Sequence, residues 1–517
     1  MHAAGKSDKP VGARKRMNKG NQPGRPGQKP AESVEQRGLA KGNAQQPPIA
    51  GTQGPGTVSR GLLGVREAAR RDKKLRFTAL LHHIDLPLLR ASFEALKREA
   101  SPGVDGVRWV AYREELDERL ENLHERIHTG RYRALPSKRV VIPKDDGSER
   151  LLGIAALEDK VVQRAVVTVL NHIYEEDFLG FSYGFRPGRD PHRALDALSV
   201  GLTERPIHWV VDLDVEKFFD HLQHSWLLRF LEHRIADKRV LRLIGKWLRA
   251  GVMDEGRWYC PEEGSPQGSA VSPLLANIYL HYVFDLWSER RRRTQLRGAM
   301  IVVRYGDDMV VGFEQREEAE AFLQDVRRRC NDFGLQLHSE KTRLLEFGRF
   351  AVARRKGAGE GKPETFNFLG FTHLCSQTRT GRFTIRRKTI AKRRRAKLRA
   401  IKTALRRRMH ASVPETGRWL RSVLQGYYHY FAVPYNLDAL NQLRYEVGRA
   451  WLHMLRRRSQ KARTHLTWEK FKRIQAQWLP TPRLYHPWPN VRFRRLHPRQ
   501  EPCAVTPLAR ICTGGAS

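Results

Sequence analysis

Two acids side by side in a run otherwise built for burial are the first residues with chemistry in them. The stretch 302–313, VVRYGDDMVVGF, sets Asp307 and Asp308 between Val302, Val303 and Arg304 on one side and Met309, Val310 and Val311 on the other. Burying one unpaired carboxylate is costly and two neighbours repel, so a fold keeps such a pair only against strong compensation. A divalent cation supplies it. A second acidic stretch, WVVDLDVEKFFDH, places Asp212 and Asp214 in a Val/Leu/Phe pattern, far enough away in the chain that only tertiary folding can bring them to the first pair. Three carboxylates, Asp214, Asp307 and Asp308, converging at a sheet edge can hold two Mg²⁺ ions about 3.5–4 Å apart, an arrangement suited to activating a hydroxyl and stabilising a phosphate during in-line transfer. Gly and Asp are also ordinary turn residues for backbone reasons alone. The second acidic strand is what raises the pair above that reading.

The elements that must position these acids are legible around them. Short β-prone runs flank a Gly306-Asp-Asp turn, a hairpin signal that puts the acids at its tip. SKRVVIPKDDGSERLLGI predicts another hairpin, strands at 140–143 and 150–154, with Lys144 and Arg150 beside the turn. Amphipathic helix is expected from residue 75, again over 112–128, through ALEDKVVQRAVVTVLNHIYEEDF and over 226–250, and the glycine-rich SYGFRPGRDPHRAL leads into a further helix. Beyond about 376 the strands give way to helical, basic sequence containing Trp and Tyr. The class is α+β without internal repeats.

Composition names a partner. A formal charge of +40 over 517 residues is too large for surface solubility alone and calls for a polyanion, most simply nucleic acid. The run 381–410 holds fourteen Lys or Arg and no acid, so no i,i+4 pairing balances it. Residues 1–60 are rich in Gly, Pro, Gln and Lys and poor in apolar side chains, a composition that does not order itself. The five cysteines form no CxxC or zinc spacing, and no apolar stretch suits a membrane span or signal segment, so a cytoplasmic protein without membrane partners is expected.

Taken in order, SPGVDGV, VVIPKDDGSERLLGI, EEDFLGFSYGFRPGRDPH, VVDLDVEKFFDH, GSPQGSAVSPLLANIYLHYVFD, VVRYGDDMVVGF, LQLHSEKTRLLEFGRF and FNFLGF resemble the group II intron-encoded reverse transcriptase/maturase family over about residues 60–500. The resemblance implies a right-hand polymerase: a disordered basic extension at 1–60, fingers and palm at 61–375, basic thumb helices at 376–410, a helical maturase region (domain X) at 411–500 and a tail at 501–517 without an endonuclease. It implies an RNA-directed DNA polymerase that uses two Mg²⁺ ions, RNA template, DNA primer or target and dNTPs, and that binds its intron RNA to assist splicing. Asp214, Asp307 and Asp308 match the metal triad, with the carbonyl of Val215 a further ligand. Lys144 and Arg150 match the residues that hold the incoming triphosphate, and Gln267 the residue that braces the nucleotide. Phe219 matches the ring under the sugar that would collide with a 2′-hydroxyl, Lys341 the motif lysine on a neighbouring strand, and FNFLGF the primer grip.

Nucleic acid is expected on Arg186, on Arg393, Arg394 and Arg395, and on the maturase residues Tyr427, Tyr428, Arg456, Arg457 and Arg458. The family usually has Ala where this chain has Gly306, a change expected to touch backbone flexibility at the turn rather than metal chemistry. Other readings are a domesticated or defence reverse transcriptase, a splicing factor with a dead polymerase, which the intact triad opposes, and an RNA-dependent RNA polymerase, which Phe219 and SPQG oppose. Oligomeric state is not fixed by the sequence.

Overall fold

Strand alternation decides where the centre of this molecule lies. In the computed structural model, which describes residues 60–143, 149–259, 262–265 and 268–496, a four-stranded sheet is ordered β6-β7-β3-β8, with β3 Trp209–Leu213, β6 Met300–Tyr305, β7 Asp308–Phe313 and β8 Arg343–Glu346. Val211, Val302 and Val311 point into one apolar core, while Val210, Ile301, Val303 and Val310 point into another. Both faces of the sheet are covered, which explains the near-continuous Val/Ile runs that a half-exposed antiparallel sheet would not need.

The first core is built around the helix Leu157–Asp177, in which Val161, Val162, Ala165, Val166 and Val169 are all buried. A second sheet, β2-β1-β4-β5, contains the expected hairpin as β1 Ser137–Pro143 and β2 Glu149–Ile154, in register Val140↔Leu152. Its other half, β4 Val252–Asp254 and β5 Arg257–Tyr259, was not foreseen. The second core joins a three-stranded sheet, β9 Phe366–Phe368, β10 Phe371–Gln377 and β11 Phe383–Thr389, to the C-terminal helices Ala391–Arg407, Val413–Phe431 and Leu437–Arg456.

Several expected boundaries move, each for a physical reason. Folding begins before residue 75: the helix Arg60–Arg71 buries Leu62, Val65 and Ala69. The predicted helix from 75 is interrupted, and its continuous part, Leu86–Glu94, starts where Asp85 accepts from the Leu88 N–H. The 226–250 helix is two helices, His224–Glu232 and Lys238–Arg249, because the Asp237 carboxylate caps the second through Arg239 N–H and also accepts from Leu80 and Leu81 N–H (2.8 and 3.0 Å). The basic run after 376 starts as strand β11, whose alternate residues Ile385, Arg387 and Thr389 are buried. All but Arg60 of the expected N-terminal extension, and the tail 501–517, lie outside the described residues.

The chain also closes on itself. The helix Pro489–Leu496 returns to the helix Pro191–Glu204, where Arg492 pairs with the buried Asp196 and donates to the His192 carbonyl (2.9 Å). Arg387 of β11 reaches the same carboxylate at 3.2 Å.

Candidate active site

The acidic hairpin is the tightest turn a β-ribbon allows. Tyr305 pairs with Asp308, leaving Gly306 and Asp307 as the two loop residues, and Gly306 has φ 65°. A glycine with positive φ at the first loop position suits a type II′ turn, whose twist matches that of the strands. A Cβ on Gly306 would in addition meet the ring of Phe185 at 2.9 Å, so this chain's departure from Ala is tied to a specific neighbour.

That neighbour arrives by extension of the sheet. The segment 181–184 lies parallel along the outer edge of β6, with Tyr183 N–H donating to the Arg304 carbonyl (2.8 Å) and Arg304 N–H to Phe181 (2.9 Å). Gly184 passes so close that a Cβ would sit 2.2 Å from Gly306 N. Phe185, 44% exposed, follows with φ 59°, a costly backbone state for a bulky residue and one that recurs at working sites.

Beneath the turn, Arg304 is fully buried and each of its three side-chain nitrogens donates. Its Nε and Nη2 donate to Asp285 Oδ1 and Oδ2 (2.7 and 2.6 Å), and its Nη1 donates to Asn277 Oδ1 (2.9 Å) and to the Gly306 carbonyl (3.1 Å). Asn277 donates to the Gly184 carbonyl at 2.8 Å. One bidentate ion pair therefore fixes the turn and the Phe185 segment together. Asp285 is supplied by a π-helical turn, His281–Asp285, that follows the helix Ser272–Leu280. Sequence reasoning missed this group; an arginine inside a Val-rich strand was its signal, because such a charge needs a buried partner.

Asp214 follows β3. Its carbonyl accepts from His338 N–H (2.8 Å) and its carboxylate meets Lys341 Nζ at 2.9 Å. The bridge Val215↔Leu337 uses the groups of the flanking residues, leaving the Val215 carbonyl outside that ladder. Solvent reaches Asp308, but the protein packed around it, and then the charges of Asp307, Asp214 and Asp212, push its carboxyl above the usual range, with Arg393 opposing. Burial, with Asp214 nearby, likewise pushes Asp212 up to about 7 against the pull of Arg343.

Hard, negatively charged oxygen donors suit Mg²⁺. The acids are not drawn into a closed cage: among the described residues no three His, Cys, Asp or Glu side chains stand close enough to hold a metal.

The remaining expected residues divide. Phe219 is half-buried, edge-on to Phe218 at 5.4 Å, and its carbonyl accepts from Ser265 N–H at 2.8 Å. FNFLGF is the β9–β10 hairpin, with Leu369 and Gly370 at φ 47° and 86°. Lys144, Gln267 and the side chain of Arg150 lie outside the described residues.

Arg186 is a correction: it is buried, paired with Glu175 at 3.0 Å and donating to the Leu179 and Ser182 carbonyls (both 2.8 Å), so it braces a loop rather than meeting nucleic acid. Tyr427 and Tyr428 are corrections too, packed inside the second core on the apolar stripe of the helix Val413–Phe431. Arg456 and Arg458 are half-buried and donate to the Leu466 and Ala411 carbonyls (2.8 and 2.7 Å), whereas Arg457 and Arg395 are exposed. Arg394 is bonded to Gln442, and Arg393 is half-buried, its charge drawing the Asp308 carboxyl down.

A four-stranded sheet carrying an acidic hairpin in a mixed α+β fold points to a class, and comparison with known proteins names it. The family model described as reverse transcriptase (RNA-dependent DNA polymerase) matches residues 142–373. Protein YkfC of Escherichia coli is 33% identical over 336 residues, covering 56% of this chain and 87% of that protein. The group II intron-encoded protein LtrA of Lactococcus lactis is 30% identical over 246 residues, 46% of this chain and 41% of LtrA. A Pol polyprotein from the retrotransposable element R2 of Nasonia vitripennis is 26% identical over 304 residues, 54% of this chain and 29% of that polyprotein. The chain belongs to the reverse transcriptase family and is an RNA-directed DNA polymerase. It spans less than half of the intron and R2 relatives. Among the described residues no helix is long and apolar enough to cross a membrane.

Proposed function

We propose that this reverse transcriptase serves a group II intron, copying RNA into DNA and binding the intron RNA to assist splicing. The observation that carries the catalytic half is the acidic turn, held by Arg304 beside Asp214, with the Asp308 carboxyl crowded by three other acids. In this reading Asp214, Asp307, Asp308 and the Val215 carbonyl hold Mg²⁺, which when bound activates the primer hydroxyl and offsets charge on the transferring phosphate. Lys341, paired with Asp214 at 2.9 Å, is released to a triphosphate when metal takes that carboxylate. Lys144, Arg150 and Gln267 hold the nucleotide, Phe219 selects the deoxy sugar and the β9–β10 hairpin supports the primer. The C-terminal helices, with exposed cations such as Arg395 and Arg457, engage RNA. The likeness to LtrA, an intron-encoded protein by name, supports the intron half.

Primer extension on an RNA template with Mg²⁺ tests the chemistry. Asp307→Asn/Asp308→Asn is expected to abolish synthesis with the fold intact, and a double variant retaining a tenth of the rate would overturn the assignment. Splicing of the flanking intron at low Mg²⁺, with and without the protein, tests the RNA role: unassisted splicing equal to assisted splicing would leave a reverse transcriptase without a splicing partner.

A further inference from the structure

The rings that face solvent among the C-terminal helices are not the ones the sequence singles out. Between the helices Ala391–Arg407 and Leu437–Arg456 runs a groove with about 670 Å³ of space, within the range of small-ligand sites, about 300–1,000 Å³. Its floor is apolar, formed by Leu405, Met409, Ala450 and Met454. Basic side chains form the two banks: Lys402 and Arg406 on one helix, and Arg449, His453 and Arg457 at four-residue spacing on the other. All five are exposed, and Lys402, Arg406, Arg449 and Arg457 have no carboxylate partner among the described residues. At the edge stands Tyr445, 50% exposed, held edge-on by Trp468 at 5.7 Å and capped by Arg449, whose guanidinium lies 5.9 Å from the ring centre.

We propose that this groove is a binding site for unpaired RNA, with phosphates on the two cationic banks and a base stacked on Tyr445. The inference deepens the reading that the C-terminal helices engage RNA and rests on it. Duplex would satisfy the cations but could offer no free base face to a half-exposed ring or to an apolar floor, whereas an unpaired strand offers both. The one acid in the lining, Glu446, repels phosphate but accepts a hydrogen bond, which a ribose 2′-hydroxyl can donate and deoxyribose cannot.

The test is fluorescence anisotropy of the full chain with a uridine-rich RNA of about 12 nucleotides, within the span of single-strand sites, against the matching RNA duplex and the matching single-stranded DNA. Expected is a preference for the single-stranded RNA. Tyr445→Ala should weaken it about tenfold, and Lys402→Gln/Arg406→Gln/Arg449→Gln at least as much, with a smaller loss on duplex. An equal charge removal on other exposed positions, Arg71→Gln/Lys74→Gln/Arg327→Gln, is the control, with circular dichroism on every variant. Independently, a 4-thiouridine probe should crosslink wild-type protein within 402–457. A groove variant that behaves like the control, equal loss on single strand and duplex, equal affinity for the DNA strand, or crosslinks mapping elsewhere would each overturn the proposal. Because the probe contains no intron sequence, a failed splicing assay and a failed groove assay remain separate results.

Discussion

Arginine does opposite work in two regions of this molecule. Around the central sheet Arg186, Arg234 and Arg304 are buried and each holds a carboxylate, at 3.0, 2.8 and 2.6 Å. On the helix Ala391–Arg407, Lys392, Arg395, Arg399, Lys402 and Arg406 face solvent, and its 17 residues include no acid. The inner guanidinium groups are spent on shape, since a buried charge must be paired to be tolerated. The outer ones are left for a partner whose charge is delivered from outside. A count of basic residues along the sequence therefore says how much polyanion the protein can meet, but not where.

The sharpest way to break this contrast is at Arg304. Arg304→Met strands Asp285 in the interior and should cost about 3–5 kcal/mol in urea unfolding. Pairing it with Asp285→Leu should recover a large part of the stability but not the rate of primer extension, because the Gly306 carbonyl stays unheld. Recovery of both would reduce Arg304 to packing.

Aromatic rings divide in the same manner. Tyr428→Ala opens a cavity in the second core and is expected to cost about 3–5 kcal/mol, while the half-exposed Tyr445→Ala should stay within about 0.5 kcal/mol. Equal losses for the two would undo the assignment of inside and outside.

A smaller effect is expected at the turn. Gly306→Ala forces a side chain into positive φ and against Phe185, a strain of about 1–3 kcal/mol. Slower extension should result, partly restored by adding Phe185→Ala, and an unaltered rate in the single variant would show that the turn yields freely. Smallest of all, Arg395→Gln should weaken binding to any nucleic acid about uniformly and lower the salt slope by about one.

How far the sequence carries this picture depends on the range of the interactions involved. The β6–β7 hairpin, the Asp214 strand and the long helix Leu157–Asp177 are legible because period-two and period-3.6 patterns are local. The burial of Tyr427 and Tyr428 was legible as well: with Leu420, Leu424 and Phe431 they complete a helical stripe, and reading them as RNA contacts gave composition more weight than periodicity. By contrast, the helix break at Asp237 depends on Leu80 and Leu81, and Arg304 depends on Asp285 and Asn277. No neighbouring residue announces such partners. The pairing of Gly306 with Phe185 is of this kind: a glycine in a turn is unremarkable until the ring that excludes its Cβ is placed.

The return of the last described helix has a consequence for biosynthesis. Asp196 takes one of its two arginines from residue 387 and the other from residue 492, so synthesis must run past residue 492 before this buried carboxylate has both partners. Before residue 387 the half-made protein carries an unpaired acid there, and between 387 and 492 a singly paired one, and contacts of such long sequence separation form late and slowly. A nascent chain can assemble the acidic hairpin and its arginine brace as soon as residue 313 has emerged, yet it cannot seal the second core. Products ending between these two points would hold the acidic hairpin on an unfinished body, a target for proteases.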